Sequence, residues 1–369
     1  MKFFTKVTKV SKAFNNRLSF SLTPITFASL LVMGGGLGVC QASQAATYYN
    51  CANATGCVAV RSVNPTSDFD KTKYPIVLAH GLGGWTHLFG LVDYFNGIPQ
   101  DLTANGADVY ATKVSAVNDT QVRGEQLLQQ VKTIAAITGN PKVNLIGHSH
   151  GGIDIRYVAA VAPEYVASVT AVSSPEQGSK MADWVIKKIT DGSLADGYDV
   201  HKGEFNTGSK IAMGFFNFIG KAMDFGSGIP LNQLQQEDGW AAVNALSTTY
   251  ASQFNQKYAA AMPNSYCSAP TATQVNGVKY YSFSGVGTIT TAIDPSDWLL
   301  ALTSLPFGDD ANDGLVSKCS SHLGQVIRDD YFMNHLDAVN QLLGLTSLAE
   351  ANPVAIYRKH VNLLKNQGL

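Results

Sequence analysis

The chain has 369 residues, 45% of them hydrophobic and 14% charged, and a formal net charge of −1. That near-neutral balance, with no basic stripe and no interleaving of basic and aromatic residues, argues against a nucleic-acid partner. The length suits one large domain behind a short leader.

The leader comes first. Lys2, Lys6, Lys9, Lys12 and Arg17 precede an apolar run from Phe20 to Val39, no acidic residue occurs before Asp68, and small residues surround Ser43-Gln44-Ala45. This order of charge, apolar core and small residues reads as a secretory signal peptide over 1–45, cleaved after Ala45. Pro24 and the Gly34-Gly35-Gly36 cluster interrupt the run and oppose an uncleaved anchor, while the bulky Val39 opposes acylation of Cys40. Export leaves Cys51, Cys57, Cys267 and Cys319, an even set suited to two disulfides.

Beyond the leader, strand-like and helix-like runs alternate, which predicts an α/β domain. The strand-like runs are 76–79, 109–114, 143–146, 166–172 and 280–286, and residues 121–137 form a clear helical run. No internal repeat or low-complexity linker divides the chain. After the first run comes His80-Gly81-Leu82, whose glycine, with Gly83 and Gly84, also fits an ordinary tight turn. After the third comes Gly147-His148-Ser149-His150-Gly151, followed by helical spacing from Gly152 to Val161. A bare Gly-x-Ser-x-Gly string is weak evidence. Between a buried strand and a helix it becomes a nucleophile elbow, with Ser149 held in strained backbone space at a helix N-terminus whose dipole favours a developing negative charge.

A serine hydroxyl needs an imidazole to take its proton and a carboxylate to orient that imidazole. In this fold the order along the chain is Ser, acid, His, which leaves His201, His322, His335 and His360. His335 is favoured, because it follows the apolar run Gln325-Val326-Ile327 and the polar break Arg328-Asp329-Asp330, where a loop after a late strand would carry it. His360 falls in a helical pattern and reads as a partly exposed helix residue. Asp313 is the preferred acid, set in the turn Asn312-Asp313-Gly314 ahead of an apolar stretch. Between 175 and 260 lies a segment without clear strands, rich in Met, aromatics and Gly, that fits mobile helices over an apolar cleft. Its apolar stripes read equally as ordinary core.

Taken together, these motifs resemble the secreted true lipases of the Pseudomonas and Burkholderia type, within the α/β-hydrolase superfamily. The resemblance rests on the stretch from Tyr74 to Leu82, the elbow, Asn312-Asp313-Gly314-Leu315-Val316-Ser317-Lys318-Cys319, and Asn334-His335-Leu336-Asp337 running on to Leu345. It covers most of the mature chain. The fold it implies is α/β, an α/β-hydrolase domain over 46–369 with a mostly parallel central sheet flanked by helices and a helical lid within 175–260. By the same resemblance Ser149 is the nucleophile, Asp313 the acid and His335 the base, with the backbone N–H groups of Leu82 and His150 as the oxyanion hole. The imidazole of His150 reads equally as a polar lining group.

The resemblance further implies a structural Ca2+ held by Asp294, Asp337, the side chain of Gln341 and the carbonyl of Leu345, pinning the loop that carries His335. Asp337 and Gln341 are four apart and would share one side of a helix. Asp297 is the rival of Asp294, which is preferred because it stands directly before Pro295. The family pattern pairs Cys267 with Cys319, and elimination leaves Cys51 with Cys57. Export through the periplasm, a dedicated foldase there, and a monomer working on acylglycerols at a lipid–water interface complete the expectation. One departure stands out: where family members carry a His-Arg pair before Gly-Ser, this chain has Glu176-Gln177. The alternatives are a carboxylesterase on short soluble esters and a non-catalytic binding protein of the same fold.

Overall fold

The structure, a computed structural model, describes residues 45–53, 56–192, 198–199, 204–291, 293–350 and 352–369. The expected signal peptide, apart from Ala45, and His201 lie outside them. Among the described residues the strands β1 (Ala46–Asn53), β2 (Gly56–Val63), β3 (Ile76–Ala79), β4 (Val109–Thr112), β5 (Val143–His148), β6 (Val166–Val172), β7 (Gln274–Val275), β8 (Val278–Gly285) and β9 (Gln325–Tyr331) form one nine-stranded sheet. Its order is β7-β8-β6-β5-β3-β4-β1-β2, with β9 also paired to β8. The pairings are parallel except for β1 with β2 and β7 with β8.

Every residue of β3, β4, β5 and β6 is buried, as continuous apolar strands covered on both faces require. Successive side chains leave a strand on opposite faces. Val77 and Ala79 accordingly pack with Leu127 and Val131 of α2 (Thr120–Thr138) and with Ile155 and Val158 of α3 (His150–Val161). Ile76 and Leu78 pack instead with Ile98 and Leu102 of α1 (Ile98–Ala104) and with Ile356 and Val361 of α7 (Pro353–Asn366). The limits of α2 are set locally: the Asp119 carboxylate accepts from the N–H groups of Gln121 and Val122, and Gly139 closes the helix with φ 66°.

One element is new and two sequence expectations are corrected. The β1–β2 hairpin was not foreseen; its strands, joined by the Cys51–Cys57 disulfide, mix polar and apolar residues at the sheet edge. The supposed polar break Arg328-Asp329-Asp330 lies inside β9, where the strand turns Arg328 and Asp330 to solvent. His360 is not partly exposed but buried, because its side of α7 faces the sheet and its Nε2 meets the Thr170 hydroxyl at 2.7 Å.

Asp70 is also enclosed, and neither carboxylate oxygen finds a hydrogen bond. Burial first, and then the Asp101 carboxylate, push its carboxyl up to about 8, against Arg358 and Lys365. A carboxyl with a raised pKa holds its proton more tightly folded than unfolded, so the stability it contributes is complete below its ordinary value of 3.8 and is lost as pH rises through about 8. Asp70→Asn is therefore expected to gain on the wild type in melting temperature as pH rises from about 5 to 9. Parallel thermal melts at several pH values check this, and a constant gap would refute it.

Candidate active site

Ser149 sits between β5 and α3 with φ 55° and ψ −128°, a left-handed φ that a serine adopts only when its surroundings enforce it. Close approach explains the two flanking glycines. A Cβ on Gly147 would stand 2.2 Å from the Gly151 carbonyl oxygen, and one on Gly151 would stand 2.4 Å from that of Ala79. The elbow is thereby clamped between helix and sheet, and the Ser149 N–H donates to the Val172 carbonyl at 2.9 Å.

His335 and Asp313, 22 residues apart in the chain, meet: His335 Nδ1 lies 2.9 Å from Asp313 Oδ2, and both residues are buried. The His335 N–H donates to the Asp313 carbonyl at 2.9 Å. The other carboxylate oxygen, Oδ1, accepts from the N–H groups of Leu315 at 3.1 Å and Val316 at 2.8 Å. With Nδ1 bound to the carboxylate, Nε2 is the ring atom left for other chemistry. Ser149 and His335 both line one cavity of about 530 Å3, walled mainly by apolar side chains including Trp85, Leu315 and Leu342. Met181 and Val185 of α4 (Lys180–Thr190) and Val243 of α5 (Gly239–Ala245) close another side, so the 175–260 segment does reach the cleft. That segment also carries a short ladder, Tyr198–Asp199 with Glu204–Phe205, that was not expected. Of the other histidines considered, His322 is bound to Asp329 at 2.9 Å and His360 to Thr170, and neither lines the cavity.

The Gly81–Leu82 peptide lies against the serine. A Cβ on Gly81 would stand 2.8 Å from Ser149 Cβ, and Leu82 lines the cavity. Arg123, fully buried, holds the start of this loop by donating to the His80 carbonyl at 2.8 Å, and it is itself paired with Asp154. The His150 imidazole is turned inward, 2.9 Å from the Thr120 hydroxyl and away from the cavity lining. Only its backbone is left for a role at the serine. At the family departure, Glu176 forms a buried ion pair with Arg156 at 2.5 Å, so the carboxylate here serves packing at the start of the 175–260 segment.

The Asp294–Asp337 region fits a cation. Asp294 Oδ2 and Asp337 Oδ1 are buried with no hydrogen-bond partner. Burial first, with the Asp297 and Asp294 carboxylates adding, pushes the Asp337 carboxyl up to about 7 despite hydrogen bonds from Thr290 and Asn334. Asp297 differs: its oxygens accept from the N–H groups of Thr290 and Thr291, from Asn334 Nδ2 and from the Thr290 hydroxyl. It is already satisfied by protein donors, which favours Asp294 over Asp297 as a ligand. Gln341 commits Nε2 to the carbonyls of Asp93 and Tyr94, so Oε1 is the atom left for a cation. Asp337 and Gln341 do not share an α-helix as expected, because the 3-10 turn Asp337–Val339 ends at Asn340 with φ 61°. Among the described residues no three carboxylate, imidazole or thiolate side chains form a metal cluster. Any hard cation here would need amide and peptide oxygens, such as the Leu345 carbonyl, as well. The second disulfide, Cys267–Cys319, ties the chain just after the Asp313 turn to the segment before β7.

Sequence reading passed over Tyr94 and His148. Tyr94 lines the cavity, and its hydroxyl lies 2.8 Å from His148 Nδ1. His148 was visible as the variable residue ahead of the serine, but nothing in the sequence links it to Tyr94, 54 positions earlier.

Residues 74–339 match the family described as the alpha/beta hydrolase fold. A triacylglycerol lipase of Vibrio cholerae is 48% identical to this chain over 82% of it and 90% of that protein, and one of Burkholderia plantarii is 38% identical over 82% and 88%. Among solved structures, the mature form of the Bacillus licheniformis lipase BlEst2 superposes with a TM-score of 0.50 at 19% identity, covering 80% of this chain and 93% of that one. That likeness concerns the fold. The chain belongs to the α/β-hydrolase family and, within it, to the family of the bacterial triacylglycerol lipases.

Proposed function

We propose that this chain is a secreted triacylglycerol lipase that cleaves acylglycerol esters through an acyl-enzyme. The observation that carries the reading is the buried His335–Asp313 hydrogen bond opening, with Ser149, onto one apolar cavity. Ser149 Oγ attacks the ester carbonyl while His335 Nε2 takes its proton, and Asp313 steadies the imidazolium. The negative charge on the former carbonyl oxygen is met by the N–H groups of Leu82 and His150. On collapse His335 returns the proton to the departing glyceride alkoxide. A water, deprotonated by His335, then adds to the acyl carbonyl; on collapse the bond to Ser149 Oγ breaks, Oγ recovers the proton from His335, and the fatty acid is released.

Asp294, Asp337, Gln341 Oε1 and the Leu345 carbonyl would hold Ca2+, which when bound neutralises two buried carboxylates beside the base loop. Cys51–Cys57 and Cys267–Cys319 suit export, and a periplasmic foldase and a monomeric enzyme belong to the same reading. No helix among the described residues is long and apolar enough to cross a membrane. Contact with lipid is supported by the surface near the cleft. The only formal charges within 286–308 are Asp294 and Asp297, both buried, while Trp298, Leu302 and Leu305 are exposed. The helices of 175–260 act as a lid that uncovers the cleft at such a surface.

The test compares emulsified long-chain triglyceride with a dissolved short ester. A lipase is expected to turn over the emulsion at least about tenfold faster, since lid opening exposes apolar surface that only the interface covers. A preference for the dissolved ester would make the protein a carboxylesterase.

A further inference from the structure

We propose that Tyr94 and His148 are positioning residues of the hydrolytic site: a buried hydrogen-bond relay that fixes the oxyanion loop and the catalytic imidazole relative to each other. The proposal rests on the assignment of Ser149, Asp313 and His335 above. His148 closes β5 and is fully enclosed. Its Nε2 lies 3.0 Å from the His335 carbonyl oxygen and its Nδ1 2.8 Å from the Tyr94 hydroxyl. A carbonyl can only accept, so the proton sits on Nε2 and Nδ1 presents its lone pair. The Tyr94 O–H therefore donates to Nδ1, and its oxygen accepts the Gly81 N–H at 3.1 Å. A single arrangement of protons satisfies all four groups.

The relay thus begins at Gly81, whose peptide to Leu82 carries the oxyanion amide, and ends at the backbone of the base. Those are the two parts whose spacing to Ser149 governs attack. Misplacement of either by a fraction of an ångström costs rate without costing affinity. Space is tight at the Gly81 end: a Cβ there would stand 2.7 Å from the Tyr94 hydroxyl. At the other end the His148 and His335 rings lie with centroids 4.6 Å apart. Burial, and then the neighbouring His335, hold His148 well below the usual imidazole range, so it stays neutral while His335 carries the proton. The Tyr94 ring is seated edge-on against Trp85 and Phe95, each at 5.3 Å, which leaves the hydroxyl little freedom to turn elsewhere.

The experiment measures kcat, KM and melting temperature for Tyr94→Phe, His148→Asn, His148→Gln and the double variant Tyr94→Phe/His148→Asn, on dissolved p-nitrophenyl butyrate. Tyr94→Phe is expected to lower kcat about 10- to 100-fold with KM within about twofold of wild type. His148→Asn places its amide at the Nδ1 position, cannot reach the His335 carbonyl, and should fall as far. His148→Gln restores a donor at the Nε2 position and should regain about tenfold over His148→Asn. The double variant should fall no further than the worse single one, because a relay is broken only once. Tyr94→Phe removes a single oxygen, so it decides the matter even where a His148 variant does not fold. The idea is overturned if folded Tyr94→Phe keeps kcat within about twofold, or if the two losses multiply in the double variant. Wild-type activity no higher than that of Ser149→Ala would instead overturn the nucleophile assignment, a result that the relay variants cannot imitate.

Discussion

Ser149→Ala is expected to lower kcat/KM on a dissolved ester by about 10^4- to 10^6-fold without moving the melting temperature by more than a degree or two. In the proposed mechanism this hydroxyl is the atom that bonds to the acyl group, and the imidazole that follows it cannot substitute: His150 points into the protein toward Thr120. Covalent labelling by a serine-directed phosphonate should vanish in the same variant. Asp313→Asn is expected to cost about 10^4-fold for a different reason. The amides of Leu315 and Val316 both donate to Asp313 Oδ1, so an asparagine must keep its oxygen there and turn its NH2 toward His335 Nδ1. The ring then accepts at Nδ1 and carries its proton on Nε2, which removes the lone pair that should deprotonate Ser149. A Ser149→Ala protein that still labels and hydrolyses, or an Asp313→Asn protein within tenfold of wild type, would place the chemistry elsewhere.

The elbow was legible because its causes are local. Gly147 and Gly151 are each required by a backbone atom less than 2.5 Å from where a Cβ would sit, and the strand and helix around them carry their own periodicities. The same holds for α2, whose cap Asp119 and terminal Gly139 can be read directly from the chain. Parallel strands buried on both faces were found as apolar runs: the bounds of β3 and β6 agree, β4 stops two residues short of the end of its run, and β5 extends two residues past its run through Gly147 and His148.

What was not legible depends on neighbours distant in sequence. β9 hides behind Arg328 and Asp330 because an edge strand keeps a solvated face, which resembles a loop when read alone. His360 reads as a helix surface residue until Thr170 of β6 is known to lie beneath it. The choice between Asp294 and Asp297 could only be a preference in the sequence. It turns on which carboxylate the protein already satisfies, and Asp297 owes that to Asn334, 37 residues away. Tyr94 and His148 belong to the same category, since the relay exists only once β5, the Gly81 loop and the base loop have come together.

Chelation of Ca2+ is expected to lower the melting temperature by about 5 °C or more and to remove most activity, both restored by adding calcium back. The argument starts from two buried carboxylate oxygens, Asp294 Oδ2 and Asp337 Oδ1, that no protein donor reaches. Without a cation the Asp294 carboxylate opposes a charge on Asp337, and both residues are buried. With one, α6 (Pro295–Thr303), whose N-cap is Asp294, is joined to the turn that follows His335. Asp294→Asn should therefore behave in opposite ways in the two conditions. In calcium it should melt below wild type, because a ligand is lost; in chelator it should melt at or above wild type, because a buried charge is gone. Asp297→Asn should melt lower in both and keep the calcium response, since Thr290, Thr291 and Asn334 lose their acceptor while the cation keeps its ligands. Melting curves with and without calcium decide this independently of turnover. A wild type indifferent to chelation, or an Asp294→Asn protein that still responds to calcium as the wild type does, would remove the metal from the account.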